Sequence, residues 1–524
     1  MPKPLKESDI AKLILLAALL FGGWLRFYPV LQAGFPINDG GMFYSMIEDL
    51  YANGFVLPAY TSYNLSEIPY AYPPLGFYLG ALLKLFGIDT LHILMYLPPV
   101  LSVLAILAFF LLAHQVFNGS WSYAALATLA LALIPRGYAS FVMGGGLTRS
   151  LGHLFLLLFL ACLLELYRNP HPALLWRSGI LGGLALLSHP ETSIHALTAG
   201  VVFWLFRSRT WQGMRNSILV ALIALAVSSV WWAKTLWQHG PAPFWNALQT
   251  GQQSQFFRGL STLISFRFTE ETMAPLVAVL GLLGLVYCLA RKEYFLPTWL
   301  IIHFISQPRS AGAVAIYPLA LLAAIALVDV ILPAIASGTD KQSYTQTRVF
   351  GNKSILITVT SFAIYLALAG SSYSTGLGMY HLSQQERNAL NWIQTHTPLE
   401  AKFIILKIAD DPMLDHSAEW FPALARRQSL FTLQGKEWTR GTEFTKNWDT
   451  YGQTAQCLLQ DIACLEKHLA QQNARFDYIY IAKQPVGVVS EENTPYLRLT
   501  ESLKESLEYR LIYENEGAIV FIRE

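Results

Sequence analysis

Phe35-Pro-Ile-Asn-Asp-Gly-Gly-Met-Phe43 is the stretch that decides how this chain is read. It follows directly on Ala11–Leu31, an apolar run long enough to cross a bilayer as a helix. One carboxylate, Asp39, therefore stands just past the end of a first span, beside two glycines that let another molecule approach the backbone closely. Gly41–Asn53 comes next, with apolar residues at helical spacing and Glu48-Asp49 on the other face. That pattern predicts an interfacial helix that sets the depth of Asp39. A carboxylate held at a fixed depth suits a general base. The plain alternative is a helix cap or a loop acid.

Composition widens the reading. The 524 residues are 54% hydrophobic and 13% charged, against about a quarter charged in soluble domains. This is a polytopic α-helical membrane protein. A net charge of +2 gives no reason to invoke nucleic acid. Further apolar runs are Leu91–Val116, Tyr123–Tyr138, Leu151–Tyr167, Leu175–Ser188, Ser193–Phe206, Ser217–Trp237, Met273–Ala290, Tyr294–Ile305, Ala311–Leu332 and Ser354–Gly370. With the first they predict about 11 transmembrane helices, the shorter ones tilted, half-buried or re-entrant. Lys3, Lys6 and Lys12 flank the first span, which lacks a small-residue cleavage site and reads as retained.

Basic residues fall on one side: the N-terminus, Arg168 and Arg177, Arg207 with Arg209 and Arg215, Arg291-Lys292, and Lys341, Arg348 and Lys353. That side is cytoplasmic. The first loop, 32–90, then lies outside, with Asp39, Glu48, Asp49, Glu67 and Asp89 against Lys84. Within it Leu75–Phe86, opened by Pro73-Pro74, reads as a second interfacial helix. Trp231, Trp232 and Trp237 are expected in an outer aromatic belt, and the outer loop 241–272, rich in Gln, Gly and Ser, as mobile.

The membrane part is residues 1–373, and residues 374–524 read as an extracytoplasmic α/β domain. Helices are expected at Ser383–His396, Ser417–Arg426 and Thr454–Gln471, and strands at Lys402–Leu406 and Tyr478–Ile481. Tyr496–Leu507 and a hairpin, Tyr509–Tyr513 with Ala518–Ile522, complete it. Cys457 and Cys464 could bond if that region is outside, although one continuous helix would hold them too far apart. Cys162 and Cys288 read as small core residues.

An early Asp in the first outer loop, an interfacial helix, then Tyr72-Pro-Pro-Leu-Gly-Phe-Tyr-Leu-Gly-Ala-Leu82 resembles the GT-C glycosyltransferase superfamily. That group includes protein O-mannosyltransferases, aminoarabinose transferases and oligosaccharyltransferase catalytic subunits. The resemblance covers roughly the first 370 residues as architecture. It implies transfer of a sugar from a polyprenyl-phosphate carrier at the outer face, with the first-loop Asp, here Asp39, as base. The chain departs from the family in having no Asp-x-Asp in this loop. Met143-Gly-Gly-Gly-Leu-Thr-Arg-Ser150 likewise carries Arg149 without an acidic partner, where metal-using members carry carboxylates. A divalent metal is thus possible but not required, and no metal ligands are assigned.

Other residues fit around Asp39. Glu67 is a second acid candidate, balanced against a solvated loop residue. Tyr70 and Tyr72, with Tyr78, offer flat faces to sugar rings. Arg149 and Arg309 are the candidates for holding the donor phosphate, Arg309 ahead, because a planar guanidinium gives two donors at once. The competing reading is snorkelling to headgroups. The Gly-rich segment before Arg149 adds backbone N–H groups at a helix start.

His189-Pro-Glu191 interrupts an apolar run, and ionisable residues in such segments mark sites by default. A simple hairpin is the alternative. Both His189 and Glu191 are expected to line the cavity; a zinc site from these two alone lacks ligands. Ala418–Arg427 is distantly similar to the Trp-rich acceptor segment of oligosaccharyltransferases, yet fits better as a buried aromatic core with a solvated Arg pair.

The expectation is an inverting glycosyltransferase of the plasma or inner membrane. It passes a sugar from a polyprenyl-phosphate donor to a hydroxyl on a glycan, lipid or protein. Two rivals remain, a transporter or flippase for lipid-linked glycans and a non-catalytic assembly subunit. No paired inverted repeat favours the transporter.

Overall fold

The computed structural model describes all residues except 1–6, 251–256, 258, 260, 266, 338–352, 410–411, 473 and 485–495. Lys3, Lys6, Lys341, Arg348 and part of the loop 241–272 lie outside the described residues.

The chain is mostly helical, and the apolar runs named above lie largely in helices, with Tyr123–Tyr138 broken and Ala311–Leu332 interrupted by a π segment at Ala326–Ile331. In order these are α1 (Glu7–Ala33), α2 (Gly41–Ala52), α3 (Leu75–Leu85), α4 (Thr90–Val116), α5 (Trp121–Leu133), α6 (Gly146–Arg168), α7 (Pro172–Ser188), α8 (Pro190–Arg207), α9 (Trp211–His239) and α10 (Ala242–Gln249). Leu276–Ala290, Phe295–Ser306, Ala311–Ile325 and Lys353–Leu377 follow. Among the described residues, 5 helices are long and apolar enough to span a membrane alone. Four more apolar helices, Leu75–Leu85, Pro172–Ser188, Leu276–Ala290 and Phe295–Ser306, are shorter.

The run Tyr123–Tyr138 is not one rod. The chain bends by 90° between Trp121–Leu133 and Pro135–Phe141, where Pro135 cannot continue the ladder. Arg26 answers the carbonyls freed there. Its guanidinium, 1% exposed, donates to Ala132 O (2.8 Å) and Gly137 O (3.1 Å), and also to Gly22 O and Ser102 Oγ. A buried cation in a span is tolerable only when its donors are used this fully.

Residues from about Ser383 onward form a five-stranded mixed sheet in the order β4-β3-β5-β7-β6. Its strands are β3 (Lys402–Leu406), β4 (Gln428–Ser429), β5 (Tyr478–Ala482), β6 (Tyr509–Glu514) and β7 (Ala518–Arg523). β3 pairs in parallel with β4 and β5, while β7 runs antiparallel to both β5 and β6. Helices Gln384–His396 and His416–Ala425 pack on one another beside it.

Three expectations change. The helix predicted over Thr454–Gln471 breaks, because Asp461 caps a new helix, Ile462–Gln471, by accepting from Cys464 N–H (3.0 Å). The break brings the two sulfurs together, and Cys457–Cys464 is a disulfide. Trp231 does not stand in a lipid-facing belt: it is buried and donates its indole N–H to Ala71 O at 3.0 Å. Trp237, 84% exposed, fits the belt. Finally, α2 is covered by protein, lying between α3 and His416–Ala425 with Met42, Phe43, Met46, Ile47 and Leu50 buried.

In the loop 241–272, α10 docks on the C-terminal region through Asn246 Nδ2, which donates to Trp438 O (2.9 Å). This part of 241–272 is tied down.

Candidate active site

The loop carrying Asp39 is stitched in from two directions. Gly144 N–H donates to Ile37 O (3.0 Å) and Asn38 N–H to Tyr380 O (2.7 Å). Asp39 then turns its carboxylate onto the start of α6. Oδ1 accepts from Gly145 N–H at 2.9 Å, and Oδ2 forms an ion pair with Arg149. Both side chains stay about a quarter exposed, 27% for Asp39 and 26% for Arg149. The positive end of α6 thus faces Asp39 itself. Gly145 is required here, since a Cβ would lie 2.7 Å from Arg149 Nη2 and closer still to the carboxylate.

Arg149 therefore does have an acidic partner, though none within its own stretch Met143–Ser150. The acid sits 110 positions earlier, in another loop.

A second pair lies alongside. Glu191 Oε1 is 3.4 Å from Arg309 Nε, with Arg309 still 49% exposed in the turn between Phe295–Ser306 and Ala311–Ile325. His189 is buried and caps α8, its Nδ1 placed against Thr192 Oγ1 (3.1 Å) and Thr192 N–H (3.4 Å). Its hairpin role is real, and its ring also sits 6.3 Å from that of Tyr72. Tyr72 connects the two pairs. It accepts from Thr148 Oγ1 (3.3 Å) and packs against Phe43 and Trp438. Burial pushes its hydroxyl well up; Arg149 pulls the other way, and Glu191 and Asp39 add to the rise.

Sequence reasoning missed the carboxylates of the C-terminal region. Glu419, 3% exposed, accepts with Oε1 from Gly40 N–H and Met42 N–H, both at 3.2 Å. Among the described residues its Oε2 has no hydrogen-bond partner. Burial, with Asp39 and Glu437 adding repulsion, pushes this carboxyl up to about 8. Glu437, half-buried, is likewise raised by burial, with the charge of Arg309 opposing. Trp420, fully buried, donates to Asn38 O at 2.9 Å. Ala418–Arg427 is thus an aromatic core segment, as expected, but one pressed onto the Asp39 loop. Its arginines are not both solvated: Arg427 is 6% exposed and donates to Thr397 O and Gln394 O.

Two candidates fall away from this cluster. Glu67 is exposed on the turn between the short strands β1 (Tyr60–Thr61) and β2 (Ile68–Pro69), at φ 49°. Tyr70 is 4% exposed and spends its hydroxyl on Met46 O (2.8 Å), so it presents no face to a sugar. Nor do the donors around Asp39 suit a cation. Its oxygens meet an N–H and a guanidinium, which is an environment for an anion. Among the described residues, the one cluster with metal-ligand spacing is Cys457, Cys464 and His468, and its thiols are in the disulfide.

No protein-family model matches the chain, and no curated protein sequence does. Solved structures do. ArnT from Cupriavidus metallidurans bound to undecaprenyl phosphate superposes with TM-score 0.55 at 14% identity, over 97% of each chain. The apo state of ArnT gives 0.54 over the same coverage. Arabinofuranosyltransferase AftD from Mycobacteria gives 0.55 at 15% identity, over 99% of this chain and 40% of that one. The protein has the fold of these GT-C enzymes.

Proposed function

We propose that the protein is an inverting glycosyltransferase that moves a sugar from a polyprenyl-phosphate carrier to an acceptor hydroxyl at the outer face of the membrane. One observation carries the reading. In the fold of ArnT, which was solved bound to undecaprenyl phosphate, a partly exposed carboxylate is paired with Arg149, next to a second ion pair of Glu191 with Arg309.

The acceptor O–H gives its proton to Asp39 while its oxygen bonds to the anomeric carbon. The bond from that carbon to the phosphate oxygen breaks, and polyprenyl phosphate leaves with the electron pair. A single displacement inverts the centre. Arg149 is committed to orienting Asp39, so its role shifts from phosphate ligand to holder of the base. Arg309, loosely held by Glu191 and half exposed, takes up the leaving phosphate and stabilises its charge. Tyr72 offers the sugar-facing wall. The Cys457–Cys464 disulfide supports an extracytoplasmic C-terminal region, in a plasma or inner membrane protein.

The test is reconstitution in vesicles with a panel of polyprenyl-phosphate pentoses and hexoses, reading release of carrier phosphate. The wild type is expected to release it and Asp39→Asn to lose that release. Lipid movement without bond cleavage would instead favour a transporter. No turnover with any donor, together with intact cell-surface glycans in an Asp39→Asn strain, would favour an assembly subunit.

A further inference from the structure

The two peptide groups that bracket Asp39 are both held by one turn of helix from the far end of the chain. Trp420 donates to Asn38 O, before Asp39, at 2.9 Å, and Glu419 accepts from Gly40 N–H and Met42 N–H, after it, at 3.2 Å. Tyr63 locks the same turn by donating its hydroxyl to Glu419 O at 2.6 Å. The fit is close: a Cβ on Gly40 would lie 3.0 Å from Trp420 Cζ2, and one on Gly41 would lie 3.1 Å from Trp420 Cα. Backbone of that kind cannot shift without the clamp shifting too.

We propose that Glu419 is a positioning residue for Asp39, and that Glu419 with Trp420 makes the reactivity of the base depend on a docked C-terminal region. The proposal rests on the reading of Asp39 as the base. Glu419 does not touch the reacting atoms; it acts through the Gly40 and Met42 amides.

The groups facing Glu419 are Asp39 from the loop, itself paired with Arg149, Glu437 from the helix Glu437–Arg440 and the Tyr63 hydroxyl on its own carbonyl. Burial and these acids push the carboxyl up to about 8, while the Gly40 and Met42 bonds favour its charged form. The amides are therefore held by Oε1 in either protonation state, and the ionised form accepts the more strongly.

Glu419→Gln keeps the shape and the accepting oxygen but cannot ionise, whereas Glu419→Ala removes the acceptor. Amide hydrogen exchange on the full-length protein in detergent reads the clamp without any donor. Exchange in the peptide covering Phe35–Phe43 is expected to rise in Glu419→Ala, after correction for intrinsic rates. Glu419→Gln is expected to stay protected.

With whichever polyprenyl-phosphate sugar is turned over, kcat of Glu419→Ala is expected to fall on the order of 10²-fold with the donor KM little changed, the cost of a misplaced base. Glu419→Gln, which keeps the accepting oxygen, should keep kcat. Trp420→Phe gives a second handle, since it fills most of the volume but cannot donate to Asn38 O. Unchanged exchange in Glu419→Ala and Trp420→Phe, or a Glu419→Gln variant whose kcat falls as far as that of Glu419→Ala, overturns the proposal. If those variants behave as stated while Asp39→Asn retains full turnover, the clamp stands and the assignment of the base fails.

Discussion

Replacing Lys407 by Met is the sharpest perturbation of the frame behind the clamp. Lys407 and Glu386 are 1% and 0% exposed and pair at 3.1 Å. Lys407 also donates to Ser417 Oγ (2.9 Å) and meets His416 Nε2 at 2.7 Å, while Ser417 bonds Glu386 Oε1. Glu386 closes a capping box with Ser383 at the start of Gln384–His396.

Burial alone would push the Glu386 carboxyl up; Lys407 first, then His416 and the serine hydrogen bonds, outweigh it and hold it at about 2. A fall from 4.5 to about 2 is worth about 3 kcal/mol. Because the folded value lies below the unfolded one, this stability is present above pH 4.5 and is lost as pH falls toward 2. Lys407→Met strands the acid, so the cost at pH 7 is expected to be about 3–5 kcal/mol.

Urea titration of the detergent-solubilised protein, followed by tryptophan emission, should show the midpoint falling by about 2 M for a slope near 2 kcal/mol/M. The acid-dependent loss between pH 4.5 and 2 should flatten as well. Adding Glu386→Gln removes the stranded charge and should recover about 1 kcal/mol or more. A single variant within about 1 kcal/mol of wild type, or a double variant less stable than the single, would refute the argument.

Arg149→Gln leaves Asp39 with the Gly145 N–H alone, and kcat/KM for carrier-phosphate release should fall on the order of 10²-fold with an unchanged far-ultraviolet spectrum. Gly145→Ala drives a methyl group into the same ion pair; single-turnover rates should drop while the urea midpoint moves little. Trp420→Ala empties a fully buried site and orphans Asn38 O, which should cost about 3–5 kcal/mol by chemical denaturation. Non-reducing peptide mapping should find Cys457 joined to Cys464, with Cys162 and Cys288 alkylated as free thiols after unfolding.

What could be read in advance was whatever short-range pattern determines. The apolar runs became helices because twenty or so apolar residues have few other folds open to them. Lys402–Leu406 and the final hairpin followed from short runs of β-branched and aromatic residues, and Ser383–His396 from its amphipathic helical spacing. The bend at Pro135 was hidden inside an apolar run, and Arg26, whose guanidinium answers it, was counted only as part of a span. The partners of Asp39 were hidden for a different reason. Arg149 is 110 positions away and the Gly40 N–H bond to Glu419 spans 379, and no local pattern encodes such pairs. Trp231 and Tyr70 were misplaced because an aromatic residue near an interface looks the same whether it meets lipid, sugar or a backbone carbonyl.

The place of Ala518–Arg523 has a consequence for biogenesis. This strand is an inner member of its sheet, flanked by Tyr478–Ala482 and Tyr509–Glu514. During synthesis the acid near the first membrane helix emerges early, while the sheet that seats its clamp stays incomplete until this much later segment is made. If Asp39 is the base, as proposed, a nascent chain inserted in the bilayer would carry that carboxylate unclamped, and translation itself would act as the safety catch.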